Sequence, residues 1–104
     1  MKPHTRALLL IAAERERQVS AEGWTTAHDD QQATGELASA AACYAGFKRP
    51  AFIVSRKAIK VPPRDWPWES HWWKPTPKNR IRELVKAGAL IVAEIERLQR
   101  RDAK

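Results

Sequence analysis

The sequence contains one cysteine, Cys43, so no disulfide can form within the chain and no multi-thiolate zinc site can be built from it. Nothing marks it as extracellular, and the cytoplasm of a bacterial host cell is the expected compartment. Long apolar runs are also missing. The longest, Ala7–Ala13 and Ala87–Ala93, fall far short of the roughly 20 residues of a membrane helix. Lys2 and Arg6 before the first run imitate a signal peptide, but Glu14–Arg17 follow at once and the apolar pattern continues helically, which reads against secretion. Glycine is scarce at four residues, and none belongs to a phosphate-binding loop or a nucleophile elbow. Large aliphatic residues are scarce too. Seventeen of the apolar residues are Ala, while Leu, Ile, Val and Phe total 20 of 104, close to the level at which independent folding fails. Five Trp add bulk, and self-association is a further way to complete the core.

Basic residues are scarce in one half only. Residues 1–47 carry four basic and six acidic side chains, whereas residues 48–104 carry fifteen and six, which accounts for the net charge of +7. Such a split points to an anionic partner meeting the second half, either a nucleotide or a nucleic acid. Lys48, Arg49, Arg56, Lys57, Lys60 and Arg64 form a stretch with no acidic residue, suited to nonspecific nucleic-acid contact.

Apolar spacing predicts a first helix from Thr5 to about Glu22, ended by Gly23. Glu14, Gln18 and Glu22 recur every fourth residue on it and share a face. The segment 23–32 reads as a structured loop. A second, Ala-rich helix begins between Asp29 and Thr34 and runs to about Phe47, with Leu37, Ala40, Ala41, Tyr44 and Phe47 on one stripe. Residues 48–77 hold six of the seven prolines and four of the five Trp, so no long helix survives there. Ala51–Val54 and Ala58–Val61 are short enough for a β-hairpin. Thr76-Pro77 predicts the start of a third helix reaching about Arg101. Its stripe, Ile81, Leu84, Val85, Gly88, Ile91, Val92, Ile95 and Leu98, broadened by Leu90 with Ala87 and Ala93, is the most regular in the chain, and this helix is the expected spine. The fold class is therefore all-α: a single domain of three main helices with a Trp- and Pro-rich connection, and a short hairpin as an option within it.

Two constellations could carry chemistry. Lys74, Lys78, Arg80 and Arg82 cluster where the third helix begins, although its partial positive charge favours acidic residues there. The arrangement makes sense if a phosphate sits at that end, held by backbone N–H groups and cations together. Trp72 and Trp73 lie beside it, and Trp66-Pro67-Trp68 puts two more indoles on one side of an extended segment, so a base could stack nearby. The other constellation is acidic: Glu14, Glu22, Asp29, Asp30 and Glu36, with His28 among them. Carboxylates from neighbouring helices could hold Mg²⁺ and activate water on a nucleotide. All-α nucleotide pyrophosphohydrolases work this way, but the spacing is not theirs and the similarity is one of fold type. The competing reading makes Asp29 or Asp30 a helix cap and Glu36 a first-turn carboxylate. Cys43 reads as a small buried hydrophobe, and helices separated by about thirty residues do not make a helix-turn-helix.

Glu22-Gly-Trp-Thr, His28-Asp-Asp, Gly35-Glu-Leu-Ala, Trp66-Pro-Trp, Trp72-Trp-Lys-Pro and Ala87-Gly-Ala-Leu-Ile-Val-Ala-Glu-Ile-Glu-Arg-Leu together resemble a family of small phage and prophage proteins. The resemblance spans about Glu14 to Leu98. It implies a mobile-element setting, in which small helical proteins block host enzymes or capture nucleotide immune signals. It carries over no catalytic residue. The leading expectation is a protein that binds a nucleotide-like anion in a counter-defence role, with Lys74, Lys78, Arg80 and Arg82 on phosphate and Trp72 or Trp73 on the base. A Mg²⁺-dependent nucleotide hydrolase, an inhibitor of a host protein and a DNA-binding accessory protein are the alternatives.

Overall fold

The computed structural model describes residues 1–46 and 61–103, and among them every regular element is helical. The hairpin expected at 51–61 and most of the basic stretch 48–64 lie outside the described residues. Four α-helices follow in order: α1 (Pro3–Glu22), α2 (Thr26–Asp30), α3 (Glu36–Gly46) and α4 (Arg80–Asp102), with a 3₁₀ turn at Ser70–Trp72 ahead of α4. Among the described residues no helix is long and apolar enough to cross a membrane.

Local chemistry sets these boundaries. Pro3 opens α1 at a position where its missing N–H costs nothing, and Gly23 closes it at φ 73°, donating its N–H to Gln18 O. The segment expected to be a loop contains α2, because the Thr25 side chain accepts from His28 N at 3.3 Å and caps a single turn. The following helix therefore starts later than the spacing predicted, at Glu36, whose Oε1 accepts from both the backbone N and the hydroxyl of Thr34 at 2.7 Å. The last helix also begins later. Asn79, not Thr76, is its cap: Asn79 Oδ1 accepts from Arg82 N at 3.0 Å, while Thr76–Asn79 forms a turn closed by Asn79 N donating to Thr76 O at 2.9 Å.

Helix α4 is the spine, with α3 along one side and α1 along another. Leu37, Ala40, Ala41 and Tyr44 of α3 meet Ala87, Leu90 and Ala93 of α4 in the core. Small residues on both helices let the backbones approach, and fully burying Leu37 and Leu90 contributes roughly 1.5–3 kcal/mol each. On the α1 side the close approach is at Gly88, where a Cβ would come within 2.7 Å of Ile11 Cδ1.

The face of α4 turned inward takes in only part of its apolar stripe. Its buried residues are Glu83, Val85, Lys86, Ala87, Ala89, Leu90, Ala93 and Arg97, whereas Ile81, Leu84, Ile91 and Ile95 are exposed. Periodicity finds apolar faces, but this helix has two, and the smoother alanine face won the contact with the alanine-rich α3.

Candidate functional site

The aromatic residues of the 66–73 segment belong to two groups. The first is structural. Trp73 stacks on Tyr44 with centroids 4.7 Å apart, Trp66 meets both edge-on, and all three rings are buried. Polar ends are satisfied: Tyr44 OH accepts from Lys74 N at 3.0 Å, and Trp66 Nε1 donates to Glu69 O at 3.1 Å. Burial pushes the Tyr44 phenol up to about 12. Trp73, a candidate for base stacking, thus sits in the core with its faces covered.

A second group consists of Trp24, itself buried in the core, and the half-buried Trp68 and Trp72 packed against it. Trp24 lies 5.4 Å from Trp68 and 6.2 Å from Trp72, tilted 58° and 55° from them, so it forms a floor between two walls. The cleft they enclose has a volume of about 470 Å³ and is completed by His28, Gln32, Pro67 and Glu69. Trp68 is fixed by its Nε1 donating to Gln32 Oε1 at 2.9 Å. His28 stacks on Trp24 at 5.7 Å and 8°, and its Nδ1 lies 3.0 Å from Asp29 Oδ1. Asp29 is fully buried and receives Arg15 at 2.6 Å on its other oxygen, while Arg15 Nε reaches Glu96 at 3.1 Å. In the tautomer that donates Nδ1–H to Asp29, the imidazole presents Nε2 as an acceptor.

The cations expected to form a phosphate clamp are engaged separately. Arg80 donates to Tyr44 O and Ala45 O, satisfying carbonyls at the end of α3. Arg82 pairs with Glu14 at 2.5 Å across the α1–α4 contact, and Glu14 also receives Arg17 at 2.8 Å. Lys74 pairs with Glu22 at 3.0 Å and lies 5.6 Å from the centre of the Trp72 ring, while Lys78 is exposed. Of these four cations, Lys74 and Arg82 are balanced by acidic residues of α1. Burial pushes the Glu14 and Glu22 carboxyls up, but hydrogen bonds from Arg17 and Arg82 to Glu14, and from Lys74 and Arg17 to Glu22, outweigh it and hold both below the ordinary value.

The carboxylates proposed for Mg²⁺ are likewise dispersed. Glu14 and Glu22 face these cations, Asp29 faces Arg15 and His28, Asp30 pairs with Arg100 at 2.8 Å, and Glu36 serves Thr34. Among the described residues no three His, Cys, Asp or Glu side chains converge as a metal site. The regular spacing of Glu14, Gln18 and Glu22 did mark a shared face, but one that meets guanidinium and ammonium groups. Of the cleft residues, the sequence pattern offers Trp72, with Trp68 nearby, for base stacking. Trp24 and Trp68 belong to the same aromatic inventory, and long-range packing buries Trp24 with Trp66 and Trp73 while leaving Trp68 and Trp72 half-buried.

Comparison with family models, with curated proteins and with solved structures finds no match for this chain.

Proposed function

We propose that the protein binds a nucleotide-like ligand and holds it without converting it. What supports this reading is the open cleft walled by Trp24, Trp68 and Trp72. At about 470 Å³ it falls within the ~300–1,000 Å³ of small-molecule sites. A base entering between Trp68 and Trp72 over Trp24 would gain about 1–3 kcal/mol from stacking. His28 Nε2 would accept a hydrogen bond from the base edge, its ring held by Asp29. Phosphate would be drawn toward Lys74 and Lys78. Lys74 is half-exposed, while its partner Glu22 is largely covered. Glu22 would keep Arg17, at 3.1 Å. Arg80 and Arg82 stay with their protein partners in this scheme. Sequestration is favoured over hydrolysis because each candidate carboxylate is committed to a cation, a histidine or a threonine.

In the phage or prophage setting that the motif string implies, the role would be capture of a host nucleotide signal. The test is to incubate the protein with linear and cyclic nucleotides, with and without Mg²⁺, re-isolate it, heat-denature it and chromatograph what it releases. An intact nucleotide recovered only after denaturation supports sequestration. A converted product contradicts it in favour of turnover, and no retention of any nucleotide contradicts the ligand class.

A further inference from the structure

Gln18, in the last turns of α1, is 2% exposed, and only one end of its amide is paired. Nε2 donates to Glu14 Oε2 at 3.2 Å, which fixes the orientation of the amide, because the opposite flip would set two acceptor oxygens against each other. Oε1 is therefore the other end, and among the described residues no donor reaches it. A buried acceptor costs free energy unless a partner is supplied by the protein or by ordered water.

Two groups near it have hydrogens left to give. The Tyr44 hydroxyl accepts from Lys74 N at 3.0 Å and keeps its own hydrogen for another acceptor. Lys86 is buried and places one of its ammonium hydrogens on Lys74 O at 2.6 Å, with two remaining. Gln18, Tyr44 and Lys86 come from α1, α3 and α4, and all three line one cavity of about 20 Å³. That is space for about one water-sized sphere. The cavity walls carry both signs, Arg17, Lys74 and Lys86 against Glu14 and Glu22, so a cation and an anion would each meet like charge there.

We propose that this cavity is a binding site for a single water molecule, which joins the three main helices through side chains. The water donates to Gln18 Oε1, accepts from the Tyr44 hydroxyl and the Lys86 ammonium, and has a second hydrogen for a carboxylate of the wall. Such a count falls within the two to four polar partners that hold a buried water. Trp24 and Trp72 border the cavity as well as the aromatic cleft, so the water sits against the floor and one wall of that cleft. The site is made by the protein's own groups and stands independently of nucleotide binding.

A high-resolution crystal structure of the wild-type chain tests the site without any substitution. One peak at about 2.7–3.0 Å from Gln18 Oε1 is the expected result. A peak closer than about 2.6 Å to three or more oxygens marks a metal cation and overturns the proposal. Empty density, or a Gln18 Oε1 bonded to a protein donor, overturns it too. In solution, oxygen-17 magnetic relaxation dispersion counts the waters that stay bound longer than the molecule takes to tumble. Gln18→Met removes the acceptor at similar volume and should lose one such water with helical circular dichroism retained, and an unchanged count in the folded variant contradicts the site. Where Gln18→Met does not fold, the wild-type crystal still decides.

Discussion

Gly88 lies directly beneath Ile11, so close that a Cβ at residue 88 would meet Ile11 Cδ1 at 2.7 Å and Cγ1 at 3.0 Å. The contact sets how near α1 approaches the spine, because an isoleucine occupies the space that any larger residue would need.

Gly88→Val should therefore destabilise the protein by about 1–3 kcal/mol, despite removing a glycine from a helix interior. Urea unfolding measures the loss. Ile11→Ala combined with Gly88→Val should recover part of it, since the smaller residue vacates the space that valine fills.

Arg15 is the bridge between a fully buried carboxylate and the last helix, touching Asp29 at 2.6 Å and Glu96 at 3.1 Å. Arg15→Ala leaves the Asp29 charge with His28 as its remaining side-chain partner and should cost about 3 kcal/mol by thermal or urea denaturation. Adding Asp29→Asn should restore part of the loss, because the buried charge is then gone. Glu96→Gln should cost much less, since Glu96 is partly solvated.

The all-α class, the spine role of the last helix and the Gly23 stop were legible because each follows from local spacing or from one residue's conformational preference. The start of the last helix was not. Thr76-Pro77 carries the standard chemistry of a helix start, yet the turn it forms hands the cap to Asn79. The inward face of α4 was only partly legible: Val85 and the broadening residues Ala87, Leu90 and Ala93 are buried, while Ile81, Leu84, Ile91 and Ile95 of the same stripe are exposed, because the alanine face allows closer packing on α3. At the site, sequence grouped Lys74, Arg80 and Arg82 by proximity along the chain. Tertiary structure sends them to Glu22, the end of α3 and Glu14 respectively.

Those ion pairs give the fold an acid limit. The folded-state carboxyls of Glu14 and Glu22 sit below the ordinary 4.5, so their stabilisation is complete above that value and is lost as pH falls through the lower folded values. The melting temperature should drop steeply below about pH 4.5. Glu14→Gln should flatten that drop, and a profile unchanged by this variant would show that the pair with Arg82 contributes nothing to it.

Tyr44 supplies an alkaline limit. It is the only tyrosine in the chain, and its folded-state phenol is raised from 10 to about 12. The unfolded chain loses this proton first, so stability is full below pH 10 and declines as pH rises from 10 toward 12. Ultraviolet titration at the phenolate band should place the folded-state midpoint near 12, and Tyr44→Phe should lessen the alkaline loss.

On the proposed function, a base stacks in the cleft between Trp68 and Trp72. Calorimetric titration of the wild type and Trp72→Ala with the nucleotide retained best in the release experiment tests it most directly. Removing one stacking wall should weaken binding by about 1–3 kcal/mol, roughly 5- to 150-fold, in a protein that keeps its helical content. Equal affinity in wild type and a folded Trp72→Ala variant would contradict the assignment of this cleft as the ligand site.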